Sequence, residues 1–190
     1  MKMIQKKYIF SLLILIIAAN VYSQNKTIYL VRHAKSSHEN PELVDFDRPL
    51  AKRGHSDAKI MAQLLKSKGI QPALFIASPS KRTQQTARYF LENLSSPGQQ
   101  LKLDSSLYRC SPTMMIHQLS QLDDKYSSVI VFAHNPATTR AANFFQTDTL
   151  IENVPTTGIV AIKFGISEWK KISKSKGSLS FFETPKKNRK

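Results

Sequence analysis

YLVRHAKSS, residues 29–37, begins as a strand and stops at an arginine and a histidine. Residues 27–31 are β-branched, aromatic and aliphatic, the composition of a buried strand. Histidine is a weak helix former and no strand specialist, so Arg32 and His33 at such a tip read as residues placed for use rather than for folding. A sheet edge that merely finishes in polar residues would account for the pair if it stood alone. Partners elsewhere in the chain decide between the two.

Strand-like runs recur at Leu74–Ala77, 129–133 and 158–164, with a further edge piece at 178–182. Helical patterns separate them. Ala58, Met61, Ala62 and Leu65 follow the i, i+3, i+4, i+7 rule, and Gly69 is placed to stop that helix. Ala87, Phe90, Leu91 and Leu94 repeat the pattern; Met115, Leu119 and Leu122 predict a third helix, and Ala141, Ala142 and Phe145 a fourth. Strands alternating with helices predict a single α/β domain, a three-layer α/β/α sandwich around a mainly parallel sheet. Ligands of such sheets bind beyond the carboxyl ends of the strands.

Three of those ends carry related chemistry. The first delivers Arg32 and His33. The second runs into Ser78-Pro79-Ser80-Lys81-Arg82, and the third into His134-Asn135-Pro136. The last two also look like helix starts, with Ser78 and Asn135 as N-caps and Pro79 and Pro136 at the first helical positions. Helix N-termini favour phosphate, and arginine's planar fork pairs bidentately with phosphoryl oxygens. A neutral histidine supplies a nucleophile, and two arginines spread the charge of a transferring phosphoryl group. Each piece alone has an ordinary structural explanation; Ser111-Pro112 is the same capping device with no evident chemistry. Together, Arg32, His33, Arg82 and His134 form a candidate catalytic set, with Ser36 and Asn135 as candidate substrate-binding residues. Lys35 and His38 are further candidates for the mouth. Asp45 and Asp47 could supply an acid, or could simply orient Arg48, Arg53 or a loop. His55 and His117 fall on helical stretches and receive no role. The five histidines do not form a zinc spacing, so no metal site is expected.

The 190 residues suffice for one domain with a proper core, and 41% hydrophobic with 22% charged residues is a globular composition. The N-terminus stands apart. Lys2, Lys6 and Lys7 precede an apolar run over residues 9–19, and Val21 and Ser23 supply the small residues of a cleavage site. Residues 1–23 therefore read as a secretory signal peptide, followed by a domain at 24–185 and a basic tail at 186–190. Export to the periplasm or medium is expected, with membrane contact only during passage of the signal. The single cysteine, Cys110, cannot form an internal disulfide, so the core alone must hold the domain. The net charge of +15 attracts anions, but no basic face interleaved with aromatics marks a specific nucleic-acid binder.

The motifs resemble those of the histidine phosphatase superfamily (branch 1, phosphoglycerate mutase-like), and within it the SixA-type phosphohistidine phosphatases. VRHAKSS is similar to the family's Arg-His signature; DFDRPLAKRG at 45–54, ASPSKRTQQTA at 77–87 and AHNPA at 133–137 follow in order. The resemblance implies that His33 is the phosphorylated nucleophile, that Arg32 and Arg82 clamp the phosphoryl group, and that His134 contacts it from the other side. It also implies action without metal or organic cofactor on a phosphorylated small molecule or a phosphohistidine protein. Two positions depart from the broader pattern: Ala34 follows the nucleophile and Ala133 precedes His134, where glycine is more usual. The region 107–115, LYRCSPTMM, lacks the glutamate that mutase-like members use as proton donor, which suits a phosphoramidate leaving group. A binding module that keeps the pocket without turnover is the alternative from another class.

Overall fold

The computed structural model describes residues 25–172 and 177–188; the expected signal peptide lies outside the described residues. Six strands, β1 (Lys26–Arg32), β2 (Leu74–Ala77), β3 (Leu101–Leu103), β4 (Ser128–Ala133), β5 (Ile159–Phe164) and β6 (Gly177–Glu183), form one sheet in the order β3-β2-β4-β1-β5-β6. Strands β1 to β4 pair in parallel, and only β5 runs against its neighbours. The helices are α1 (Lys52–Ser67), α2 (Lys81–Leu94), α3 (Pro112–Ser120), α4 (Ala137–Phe145) and the short α5 (Pro185–Asn188).

Side-chain alternation along the central strands builds the layers. Val31, Ile130 and Phe132 pack with Met61, Leu65, Ala87 and Phe90 of α1 and α2 on one face. Ile28, Leu30, Val129 and Val131 pack with Met115, Leu119, Ala141 and Phe145 of α3 and α4 on the other, where Trp169 closes the far end. The three-layer α/β/α architecture is thus set by strands whose two faces are both apolar, as a sheet covered on both sides requires.

Helix α1 ends as its sequence predicts. Gly69 takes φ +69°, and the Gly69 and Ile70 amides donate to the carbonyls of Lys66 and Leu65, the paired closure of a Schellman turn. Gly54, on the first turns of α1, has a different reason. A Cβ there would lie 2.2 Å from the Lys35 carbonyl oxygen, so glycine lets the segment that follows β1 press against the helix.

Several expected boundaries shift. Helices α2 and α4 begin later than expected: Ser80 and Pro136 occupy the cap positions, not Ser78 and Asn135, because the residues after β2 and β4 are used to turn the chain at the site. Helix α3 stops before Leu122. Strand β3, three residues on the sheet edge, is too short to carry a periodic signal. Within the basic tail, residues 186–188 belong to α5, where the Asn188 amide bonds Glu183 and the Thr184 carbonyl.

Candidate active site

The carboxyl ends of β1, β2 and β4, three adjacent strands, bring the Arg-His pair, Arg82 and His134 to one cavity of about 550 Å³. Backbone bonds fix the tip of β1 from both sides. The His33 amide donates to the Ala133 carbonyl (3.0 Å), and the Thr157 amide donates back to the Arg32 carbonyl (3.0 Å). Thr157 does so at φ +61°, a left-handed conformation that a β-branched residue rarely adopts. From α2, the Thr86 hydroxyl accepts from the Ala34 amide (2.9 Å) and donates to the Arg82 carbonyl (2.7 Å). The residue after His33 and the helix that carries Arg82 are therefore joined through one side chain.

The partners of His33 assign its tautomer. Nδ1 lies 2.8 Å from the Ala34 carbonyl oxygen, which can only accept, so Nδ1 carries the proton. Nε2 is left with its lone pair, facing Nε of Arg82 at 3.3 Å. Burial, then the nearby positive groups, push the His33 pKa down to about 3 despite the bond to Ala34, so the imidazole is neutral at physiological pH. His134, its ring centroid 5.0 Å away, is held differently. Its Nδ1 accepts from Nη2 of Arg82 (3.3 Å), so Nε2 donates to the Ser78 hydroxyl (2.9 Å). Burial and the Arg82 charge lower its pKa to about 4.

Arg82 is buried and uses its two edges for different tasks. The outer edge, Nη1 and Nη2, bonds the Asp45 carbonyl and Asp45 Oδ2 (2.8 Å). The inner edge, Nε and Nη2, faces the two histidines. Asp45 thus grips the guanidinium from behind, and the opposite edge is turned to the histidines, Nε donating to His33 Nε2 and Nη2 to His134 Nδ1. Burial raises the Asp45 pKa, but the bond and charge of Arg82, the Tyr108 hydroxyl (3.1 Å) and Arg48 outweigh it and hold the carboxyl below its usual range. Arg32 donates Nη1 to the Val154 carbonyl (2.9 Å), while its Nε is buried without a partner. An orphaned buried cationic donor beside a neutral histidine suits an anion.

Two expected site residues serve other ends. Ser36 is buried and accepts from Arg48 Nη2 (2.7 Å), away from the cavity lining; it anchors Arg48 and does not line the mouth. Asn135 lines the cavity, but its amide is committed to Asn153 (2.8 Å), the Val154 carbonyl (3.0 Å) and Thr139. Lys35 is also absent from the lining, and His38 bonds Arg48. Asp47 faces a separate depression with Pro79 and Lys81. Of the two aspartates only Asp45 reaches the cavity, and it orients Arg82 as well as Arg48. Tyr108, in the segment noted for its missing glutamate, forms a wall, its ring edge-on to His134 at 5.4 Å. Its hydroxyl contact with Asp45, 63 residues away, leaves no local mark in the sequence. Among the described residues no cluster of histidine, cysteine and acidic side chains is spaced to hold a metal ion.

Residues 28–108 match the model of the histidine phosphatase superfamily (branch 1). An uncharacterized chloroplastic protein of Arabidopsis thaliana is 42% identical over 66 residues, 35% of this chain and 30% of that protein's length. The fold is similar to that of an Agrobacterium tumefaciens SixA assigned as a phosphohistidine phosphatase (TM-score 0.71, 23% identity, 84% of this chain and 98% of that one). It is also similar to the protein histidine phosphatase SixA complexed with tungstate (TM-score 0.73, 19% identity, 86% and 99%). With the Arg-His tip of β1, the matched region and the shared architecture, residues 28–108 are similar to the histidine phosphatase superfamily, branch 1, and the match supports a phosphatase.

Proposed function

We propose that this phosphatase hydrolyses a phosphohistidine or a related phosphoramidate in two steps through His33. The observation that carries the reading is the Nε2 lone pair of a neutral His33, held against the Arg82 guanidinium by a bond from Nε (3.3 Å) that an entering phosphoryl group can take over. Nε2 attacks phosphorus, the bond from phosphorus to the leaving nitrogen breaks, and that nitrogen departs with the electron pair, neutral if its ring already carries a proton. Phosphorylation makes the His33 ring cationic, and the Ala34 carbonyl, accepting from Nδ1–H, stabilises that charge. Water then attacks the phosphohistidine, inorganic phosphate leaves, and Nε2 recovers its lone pair. Arg82, and Arg32 through its unpaired Nε, stabilise the transferring group by charge and orientation, where most catalysis of phosphoryl transfer resides.

The preference for phosphoramidates rests on the acid. The Asp45 carboxyl is ionised and paired, and region 107–115 holds no glutamate. The binding of tungstate, an oxyanion shaped like phosphate, by a SixA of the same fold agrees with this reading, as does the activity assigned to the Agrobacterium protein. A panel of phosphohistidine peptides, N-phosphoimidazole, aryl phosphates and sugar phosphates tests it. Phosphoramidates and activated aryl phosphates should lead in kcat/KM, and faster hydrolysis of sugar phosphates would overturn the substrate assignment. We further propose that the protein is exported after cleavage near residues 23–24; an intact Met1 on soluble cytoplasmic protein from the native host would refute it.

A further inference from the structure

We propose that the substrate carries a second anionic group, a carboxylate beyond the phosphoryl group, and that Arg109 and Arg140 receive it. The inference rests on the phosphatase reading of the inner site. Four arginines line the cavity (Arg32, Arg82, Arg109 and Arg140) against one carboxylate, Asp45. A phosphoryl dianion on the inner pair would still leave the lining with one positive charge to spare, and one further carboxylate balances it. Arg109 and Arg140 are both exposed at the mouth and, like Arg88 on another face, take part in none of the ion pairs of the described residues; unlike Arg88, they line the cavity.

The backbone at Arg109 adds a second observation. Its φ is +61°, a left-handed conformation uncommon for residues other than glycine, asparagine and aspartate, and such strain concentrates at ligand sites. Its guanidinium lies over the Tyr108 ring at 5.4 Å, which gives the side chain a fixed direction on the wall shared with Asp45. Arg140 approaches from the other side. It stands where the catalytic cavity joins a neighbouring one of about 590 Å³ lined by Asn143, Ile151 and Glu152, so a ligand leaving the phosphoryl site along this trough passes it.

The test compares two ligands that differ only at the far end, 3-phosphonopropionate and propylphosphonate, by titration calorimetry on the folded protein. Two exposed ion pairs should favour the carboxylated ligand about fivefold to tenfold, with the advantage shrinking in high salt. The Arg109→Gln, Arg140→Gln double variant should bind propylphosphonate as the parent does and lose the preference. Equal affinities in the parent, or a preference that survives both substitutions, would overturn the proposal, as would failure of either phosphonate to bind. Turnover of phosphohistidine peptides with glutamate or glutamine beside the phosphorylated residue places the carboxylate on a polypeptide if glutamate wins; a preference confined to the phosphonates supports the subsite and makes its ligand a small molecule. Phosphonate binding with the expected preference, in a protein that turns over neither the peptides, N-phosphoimidazole, aryl phosphates nor sugar phosphates, would keep the outer subsite and refute the phosphatase reading.

Discussion

His33 and His134 stand at the ends of adjacent parallel strands, both largely buried, both neutral, yet they are prepared for different tasks. His33 carries its proton on Nδ1, donated to the carbonyl of the next residue, and its Nε2 lone pair accepts from Arg82 Nε. His134 is the opposite tautomer, its Nδ1 accepting from Arg82 and its Nε2 donating to Ser78. Neither strand sequence distinguishes them. The difference lies in what neighbours the fold supplies: a backbone carbonyl one residue away for the Nδ1 of His33, and for the Nε2 of His134 the Ser78 hydroxyl from the β2–α2 connection. A histidine's role is set by the partner of its other nitrogen.

The comparison breaks most visibly at the nucleophile. His33→Ala should bring turnover to background and abolish covalent labelling by a phosphoryl donor, while His134→Ala should still label, though slowly. Near-normal turnover by His33→Ala would refute the mechanism. Next comes the group both histidines face. Arg82→Ala should cost ~10²–10³ in kcat, the usual loss for one donor to developing charge, with the fold intact by circular dichroism. Asp45→Asn weakens the grip on the outer edge and should cost about tenfold, within the same order-of-magnitude frame. A loss equal to that of Arg82→Ala would mean that Asp45 does more than position the guanidinium.

Titration sharpens the comparison further. Because both imidazoles are neutral down to about pH 3–4, kcat/KM corrected for substrate ionisation should stay flat from pH 8 to about pH 5, with no limb near 6.5 from either histidine. Stability should respond at higher pH. Unfolded histidine takes a proton below about pH 6.5, while the folded rings resist until about 3–4, so the unfolded state binds more protons in that window. Stability is therefore fully present above 6.5 and is lost as pH falls toward 4. The urea midpoint of His33→Ala should fall less between pH 7 and 5 than that of the parent. The smallest effect is expected at Ser78→Ala, which removes one acceptor from His134 and should lower kcat by less than about tenfold, as expected for a single neutral hydrogen bond. It should leave labelling of His33 unchanged.

Much of this was legible in the chain. The strand patterns, the Schellman stop at Gly69 and the four catalytic candidates are local in origin, because periodicity, capping and strand-end chemistry are written over a few neighbouring residues. Even so, the patterns marked Ser78 and Asn135 as caps when the fold uses them as hydrogen-bond partners, Ser78 for His134 and Asn135 for the loop at 153–154. Ser36 was legible only as a polar neighbour of the nucleophile; its actual partner, Arg48, lies 12 residues on.

The sequence by itself determined which residues could attack and clamp a phosphoryl group, and that they would arrive at the ends of parallel strands. Only the tertiary structure decided that Asp45 takes the outer edge of Arg82, that Tyr108 closes the wall, and that Arg109 and Arg140 face the same cavity. The Asp45–Arg82 and Asp45–Tyr108 contacts join residues 37 and 63 positions apart, and the geometry follows from how the layers pack rather than from any local preference of the chain.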